Sequence, residues 1–204
     1  MSIFDKISAA AFRAGIRSRT PESEEWFANK VKELAGAVPS RTKILKDDAL
    51  EKQSKIRVGD MIMYFYDPKT KETLPYYDKF PLTIIVDKAP GGFYGLNLHY
   101  LHPRLRVGLL ENLYAYSNDF DDESVADENV RLGLRYQSLA TASNLRVAKP
   151  CVKQYLFEHL DSKIVKVNPS QWDFVPLLPL SKFTSEKGSI NTNTVYRETR
   201  EKII

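Results

Sequence analysis

A β-rich stretch, residues 58–101, constrains this 204-residue chain more than any other part of it. Val58-Gly59-Asp60 opens a strand over 61–66, and a second strand, rich in β-branched residues, covers 81–86. Ala89-Pro90-Gly91-Gly92 is a tight turn with two conformationally permissive glycines, and a third strand follows over 93–101. Two apolar runs joined across Pro-Gly-Gly predict a hairpin. Residues 67–72 read as a turn, 74–78 as an irregular crossing segment, and 162–167 as a late strand. The expected fold class is α+β: a small, bent antiparallel sheet or an SH3-like partial barrel, surrounded by helices.

The helices are read from periodicity and caps. Ile3, Phe4, Ile7, Ala11, Phe12 and Ile16 follow helical spacing behind Ser2 as N-cap. Thr20-Pro21 followed by acids starts a second helix, with Trp26, Phe27, Val31 and Leu34 as its apolar side and Gly36 and Pro39 as its stop. Residues 41–57 read as a linker or a frayed helix. Pro103 starts a helix lined by Leu105, Leu109, Leu110 and Leu113. An acidic loop over 118–128 leads into a helix over 127–142, and Lys149-Pro150 starts another over 151–160. Asn168-Pro169 is a capped turn, and 175–180 packs without regular structure. From Lys182 the chain is polar, with one short basic helix expected over 196–204. Such a tail buries little by itself, so partner chains or the molecule's own surface must hold it. The division expected is an N-terminal helical arm (1–57), an α+β core (58–181) and an extended C-terminal tail (182–204).

Charge and composition exclude several function classes. The net charge of +4 is mildly basic, and no run approaches the ~18 apolar residues of a membrane span. The lone cysteine forms no internal disulfide, and the N-terminus has no signal-peptide pattern, so a cytoplasmic origin is expected. Nucleophilic catalysis needs a Ser or Cys positioned against a His. Cys151 lies beside Val152, Tyr155 and Leu156 in an apolar helical pattern and reads as core. His99, His102 and His159 lack zinc-ligand spacing; His99 and His102 read as a hydrogen-bonded structural pair. Asp119, Asp121, Asp122 and Glu123 cluster on a loop without the rigid frame a magnesium site wants. Gly91-Gly92-Phe93-Tyr94-Gly95 sits in a hairpin, not ahead of a helix, so it is no phosphate loop. The reading is a non-enzyme with no cofactor and no metal.

Aromatic side chains are the remaining resource. Tyr64, Tyr66, Tyr76, Tyr77, Phe80, Phe93, Tyr94 and Tyr100 crowd the β region. Such rings stack bases in single-strand-binding barrels, but most of these are expected to fill the core.

Four segments are distinctive: Leu74-Pro75-Tyr76-Tyr77-Asp78-Lys79-Phe80-Pro81-Leu82; Gly92-Phe93-Tyr94-Gly95-Leu96-Asn97-Leu98-His99-Tyr100-Leu101-His102-Pro103; Lys149-Pro150-Cys151-Val152-Lys153-Gln154-Tyr155-Leu156; and Pro169-Ser170-Gln171-Trp172. In that order they resemble the DNA end protectors, or head-completion proteins, of T-even-type contractile-tailed bacteriophages, over about residues 56–200. The resemblance implies a minor virion protein, assembled in the host cytoplasm, that shields the ends of packaged DNA and completes the head. It implies other virion proteins and double-stranded DNA ends as partners within a multi-subunit assembly, no membrane, and no catalysis. It carries over no site residues. From charge, the candidate DNA contacts are Arg13, Arg17, Arg19, Arg41, Lys43 and Lys46, with Lys149, Lys153, Lys163 and Lys166. The alternative is a structural subunit of the neck, tail or baseplate that docks its neighbours through its termini.

Overall fold

Nine strands and five helices are placed by a computed structural model that describes residues 2–17, 20–33, 40–48, 50–53, 55–118 and 149–203. The strands are β1 (Lys52–Gln53), β2 (Met61–Met63), β3 (Tyr77–Asp78), β4 (Leu82–Ala89), β5 (Gly92–Asn97), β6 (Val152–Leu156), β7 (Ile164–Val167), β8 (Phe183–Ser185) and β9 (Gly188–Ser189). The helices are α1 (Ile3–Arg13), α2 (Pro21–Glu33), α3 (Arg41–Lys46), α4 (Pro103–Asn118) and α5 (Thr192–Glu201). One antiparallel sheet runs β1-β7-β2-β4-β5-β6, and a smaller one runs β3-β8-β9. The fold is therefore α+β. The larger sheet is open, with β1 and β6 at its edges, rather than closed into a barrel.

The predicted hairpin forms. Ala89 pairs with Gly92, which leaves Pro90 and Gly91 as the connection. Gly91 has φ +68°, the left-handed value that a Pro-Gly turn of type II requires at its second central position. The next strand stops at Asn97, short of the predicted end at 101. The Asn97 side chain accepts from the His99 backbone N–H at 2.9 Å and turns Leu98–Tyr100 into a 3-10 turn. Asn competes for local backbone in this way, and here it ends the strand.

Period-two alternation buries both faces of the sheet. Met61, Met63, Leu82, Ile84, Leu96, Val165 and Val167 face the main core. Ile62, Tyr64, Ile85, Phe93, Tyr155 and Ile164 face a second cluster. There Tyr64 makes edge contacts with Tyr66, Phe93 and Tyr155, with ring centroids 5.5–6.2 Å apart. The expectation that the rings mainly fill core holds for these side chains.

The main core is closed by helices from both termini. Ser2 caps α1 in a capping box with Asp5, and Thr20 accepts from the Ser23 N–H at the start of α2. Phe4 and Phe27 pack on Phe174, at 6.1 and 5.4 Å between centroids. Each buried ring of this size contributes roughly 1.5–3 kcal/mol. Of the segment read as a linker or a frayed helix over 41–57, residues 41–46 form the helix α3, and its Ile44 joins the same cluster together with Leu50. Phe12 differs from expectation: it is 86% exposed, because Phe4, Ile7 and Ala11 already define the buried stripe. Leu105 is also exposed, while Leu109 and Leu110 are buried.

Two further segments depart from expectation. Residues 151–160 are not a helix but β6 followed by a 3-10 turn at Phe157–His159. Val152, Tyr155 and Leu156 are spaced as on a helix face, but pairing with β5 overrides that local pattern. Residues 182–203 are not extended: β8 and β9 form a hairpin, and α5 begins at Thr192 under an Asn191 cap. Phe183 and Val195 are buried in the main core, so the molecule's own surface holds the segment. The capped turn at Asn168 forms as read, with a capping box to Gln171. The acidic loop at 118–128 lies, from Asp119 on, outside the described residues, as do the expected helix at 127–142, Leu34, Gly36 and Pro39.

Gly92 supplies the test of the β5–β6 pairing. A Cβ there would run into the Tyr155 carbonyl. Gly92→Ala is expected to destabilise the protein by about 3 kcal/mol, read as a lower urea midpoint. An unchanged midpoint would contradict the pairing.

Candidate nucleic-acid interface

The Asp78 carboxylate accepts four hydrogen bonds. Asp78 sits on β3, where the two sheets meet, and is fully buried. One of its oxygens accepts from the Phe80 and Lys182 backbone N–H groups, each at 3.0 Å. The other accepts from Asn97 Nδ2 at 3.3 Å and from His99 Nδ1 at 2.7 Å. Asn97 also donates to the Tyr155 hydroxyl at 3.1 Å. His99 is thus paired with Asp78 rather than with His102, which instead packs edge-on against Tyr196. Burial lowers the His99 pKa, opposed by Asp78 and assisted by Arg106. The ring is therefore neutral at pH 7, with its proton on Nδ1 toward Asp78. The donors around Asp78, above all His99, hold its pKa below the usual carboxylate value against the opposing effect of burial.

Arg106 was not legible as special in the sequence, yet it is 1% exposed. Its guanidinium donates to the carbonyls of Leu101 at 2.8 Å and Pro176 at 2.6 Å, and to the Tyr196 hydroxyl at 2.7 Å. It thereby fastens α4 to the 175–177 turn and to α5. Asp78 contributes a favourable field at both Arg106 and Arg41.

Beside this network lies a cavity of about 560 Å³. Its walls are Tyr66, the crossing segment from Leu74 to Asp78, Tyr100, β6 from Lys153 to Leu156, and Thr199. Five tyrosines line it: Tyr66, Tyr76, Tyr77, Tyr100 and Tyr155. Exposed Lys69, Thr70, Gln154 and Lys202 form the rim. Lys153 Nζ lies 4.8 Å above the Tyr100 ring, a cation–π contact. Burial lowers the Lys153 pKa, and neighbouring Lys202 acts in the same direction. Burial and a hydrogen bond to Glu198 push the Tyr76 hydroxyl up to about 12, so it stays neutral.

The candidate basic residues separate into two groups. Arg41, Lys153 and Lys166 have partners within the chain. Arg41 donates to the Leu180 and Ser181 carbonyls at 2.6 and 2.7 Å, and Lys166 lies 3.2 Å from Asp60. Arg13, Arg17, Lys43, Lys46, Lys149 and Lys163 are exposed, and Arg19 lies outside the described residues. They do not form one patch. Lys163 precedes β7 and lies within the field of Asp48, just past α3, while Lys149 precedes β6. β7 and β6 are four strand spacings apart, roughly 19 Å. The sequence reasoning missed Lys69 and Lys202, which the tertiary fold brings to the lining of the same cavity as Lys153. Cys151 is buried, and burial pushes its thiol up to about 12, which fits the core role read for it. Among the described residues no three His, Cys, Asp or Glu side chains gather as a metal site, and no described helix is long and apolar enough to cross a membrane.

A family model described as the phage T4 terminal DNA protecting protein matches residues 6–199. No curated protein and no solved structure matches the chain.

The buried His99–Asp78 pair generates a pH prediction. The folded-state pKa of His99 lies below its unfolded value of about 6.5. The stability this confers is complete above that pH and is lost as pH falls below it. Between pH 7.5 and 5.5 the wild-type urea midpoint is expected to fall by more than that of His99→Gln. Equal falls would contradict a neutral buried His99.

Proposed function

The chain belongs to the family of the phage T4 terminal DNA protecting protein, and from that premise we propose that it binds the ends of packaged double-stranded DNA and shields them from exonucleases. The observation that carries this reading is the family match over 194 of the 204 residues, from 6 to 199. The chemistry required is modest: protection needs occupancy of the terminus, not catalysis. Exposed Arg13, Arg17, Lys43, Lys46, Lys149 and Lys163 supply sequence-independent phosphate contacts on both flanks of the sheet. The protein acts as a non-enzymatic virion component, assembled in the host cytoplasm with other virion proteins, and its seating on the DNA end completes the head. The alternative of a neck, tail or baseplate subunit drew its support from a polar tail held by neighbours. Residues 182–203 pack on their own chain, so that support is absent.

A direct test combines exonuclease protection with salt dependence. The purified protein is expected to slow digestion of a linear duplex by a double-strand exonuclease, with affinity falling steeply as salt rises. Lys43→Glu with Lys46→Glu is expected to weaken binding to all duplexes and to reduce the log–log salt slope by about 2. No protection, or salt-independent protection, would overturn the reading.

A further inference from the structure

The tyrosine-lined cavity is not used by the phosphate contacts proposed above. We propose that it captures the terminal nucleotide of the DNA end, unpaired from its partner, with the base against the tyrosine rings and the phosphate between Lys153, Lys202 and Lys69. The inference rests on the end-binding reading above and names the site that distinguishes an end from the interior of a duplex.

Four observations carry it. The cavity volume of about 560 Å³ falls within the ~300–1,000 Å³ of small-ligand sites, and it is far too small for a base-paired helix. Its lining is aromatic and phenolic: each of the five tyrosines is at most 9% exposed, so what they offer is a flat apolar wall with hydroxyls, which suits contact with an arbitrary base without reading its sequence. Three lysines line it, and among the described residues none has a carboxylate within salt-bridge distance. The one acidic lining residue, Asp78, is already taken up by two backbone N–H groups, Asn97 and His99. Lys153 and Lys202 also lie close enough to repel. A phosphate between them relieves that repulsion, and a nucleotide combines such a group with a flat ring.

The geometry also explains why an end is chosen. An internal nucleotide reaches a pocket only by unstacking from two neighbours, whereas a terminal one has a single stacking partner and frays readily. Recognition therefore needs no sequence contact. It needs only a nucleotide free to leave the helix.

The test measures binding of the full-length protein to two duplexes of one sequence. One has a hairpin loop at one terminus and a single unpaired nucleotide at the other; the second is closed by loops at both termini. The wild type is expected to prefer the open duplex. Gln154→Trp plugs the rim from an exposed position on β6, and Lys69→Gln with Lys202→Gln removes rim charge without touching the core. Each variant is expected to lose about tenfold of the preference while retaining binding to the closed duplex. A preference unchanged in both variants would overturn the pocket assignment and leave end protection standing. No preference in the wild type would overturn both. A free deoxynucleoside monophosphate is expected to compete only weakly; displacement of the open duplex at equal concentration would mean a mononucleotide site, and would also overturn the assignment.

Discussion

The fold depends on one buried charge. Asp78 is removed from water, and an ionised carboxylate in that position survives only when every lone pair is engaged. One partner is local, the Phe80 N–H two residues on; the others come from Asn97 at the end of β5, His99 in the following 3-10 turn, and Lys182 at the start of the C-terminal segment. The fields of Arg41 and Arg106 add α3 and α4 to the same arrangement. The carboxylate thus requires that the smaller sheet, the larger sheet and the C-terminal segment meet at one place. Such a requirement favours a single packing, because a shift of any one element costs the buried charge part of its hydrogen bonding.

The cavity is a consequence of that junction. β3 is drawn toward Lys182, and α5 is held by the bond between Arg106 and Tyr196. The crossing segment from Leu74 to Asp78 then faces β6 across a gap rather than packing on it. Tyrosines suit the wall of such a gap, since their rings remain packed while their hydroxyls meet polar surroundings. The exposed bases play a different part. Spread over separate elements, they offer no single place for a ligand, whereas the cavity is a defined site of fixed size and charge.

Local chemistry was legible in the sequence; long-range pairing was not. Pro90-Gly91-Gly92 announced its hairpin, and Ser2, Thr20 and Asn168 announced their caps, because each acts within four residues of itself. Residues 151–160 carried a helical period, and pairing with β5 overrode it to make a strand. The C-terminal segment looked too polar to fold, yet Phe183 and Val195 suffice to anchor it on a core built elsewhere. Of the candidate site, Lys153 was named from charge, while Lys69 and Lys202 were not. They line one cavity from positions more than 130 residues apart, so no local pattern records it. Arg106 was hidden for the same reason: its acceptors are backbone carbonyls, which every residue has.

A DNA terminus in the cavity between β3, β6 and α5 would shield the lysines that line it. Lysine acetylation rates, read by mass spectrometry with and without DNA, test that occupancy most directly. The account predicts that saturating linear duplex protects Lys153, Lys202 and Lys69, and that covalently closed circular duplex does not. Equal protection of these lysines by both DNAs, or protection by neither, would contradict it.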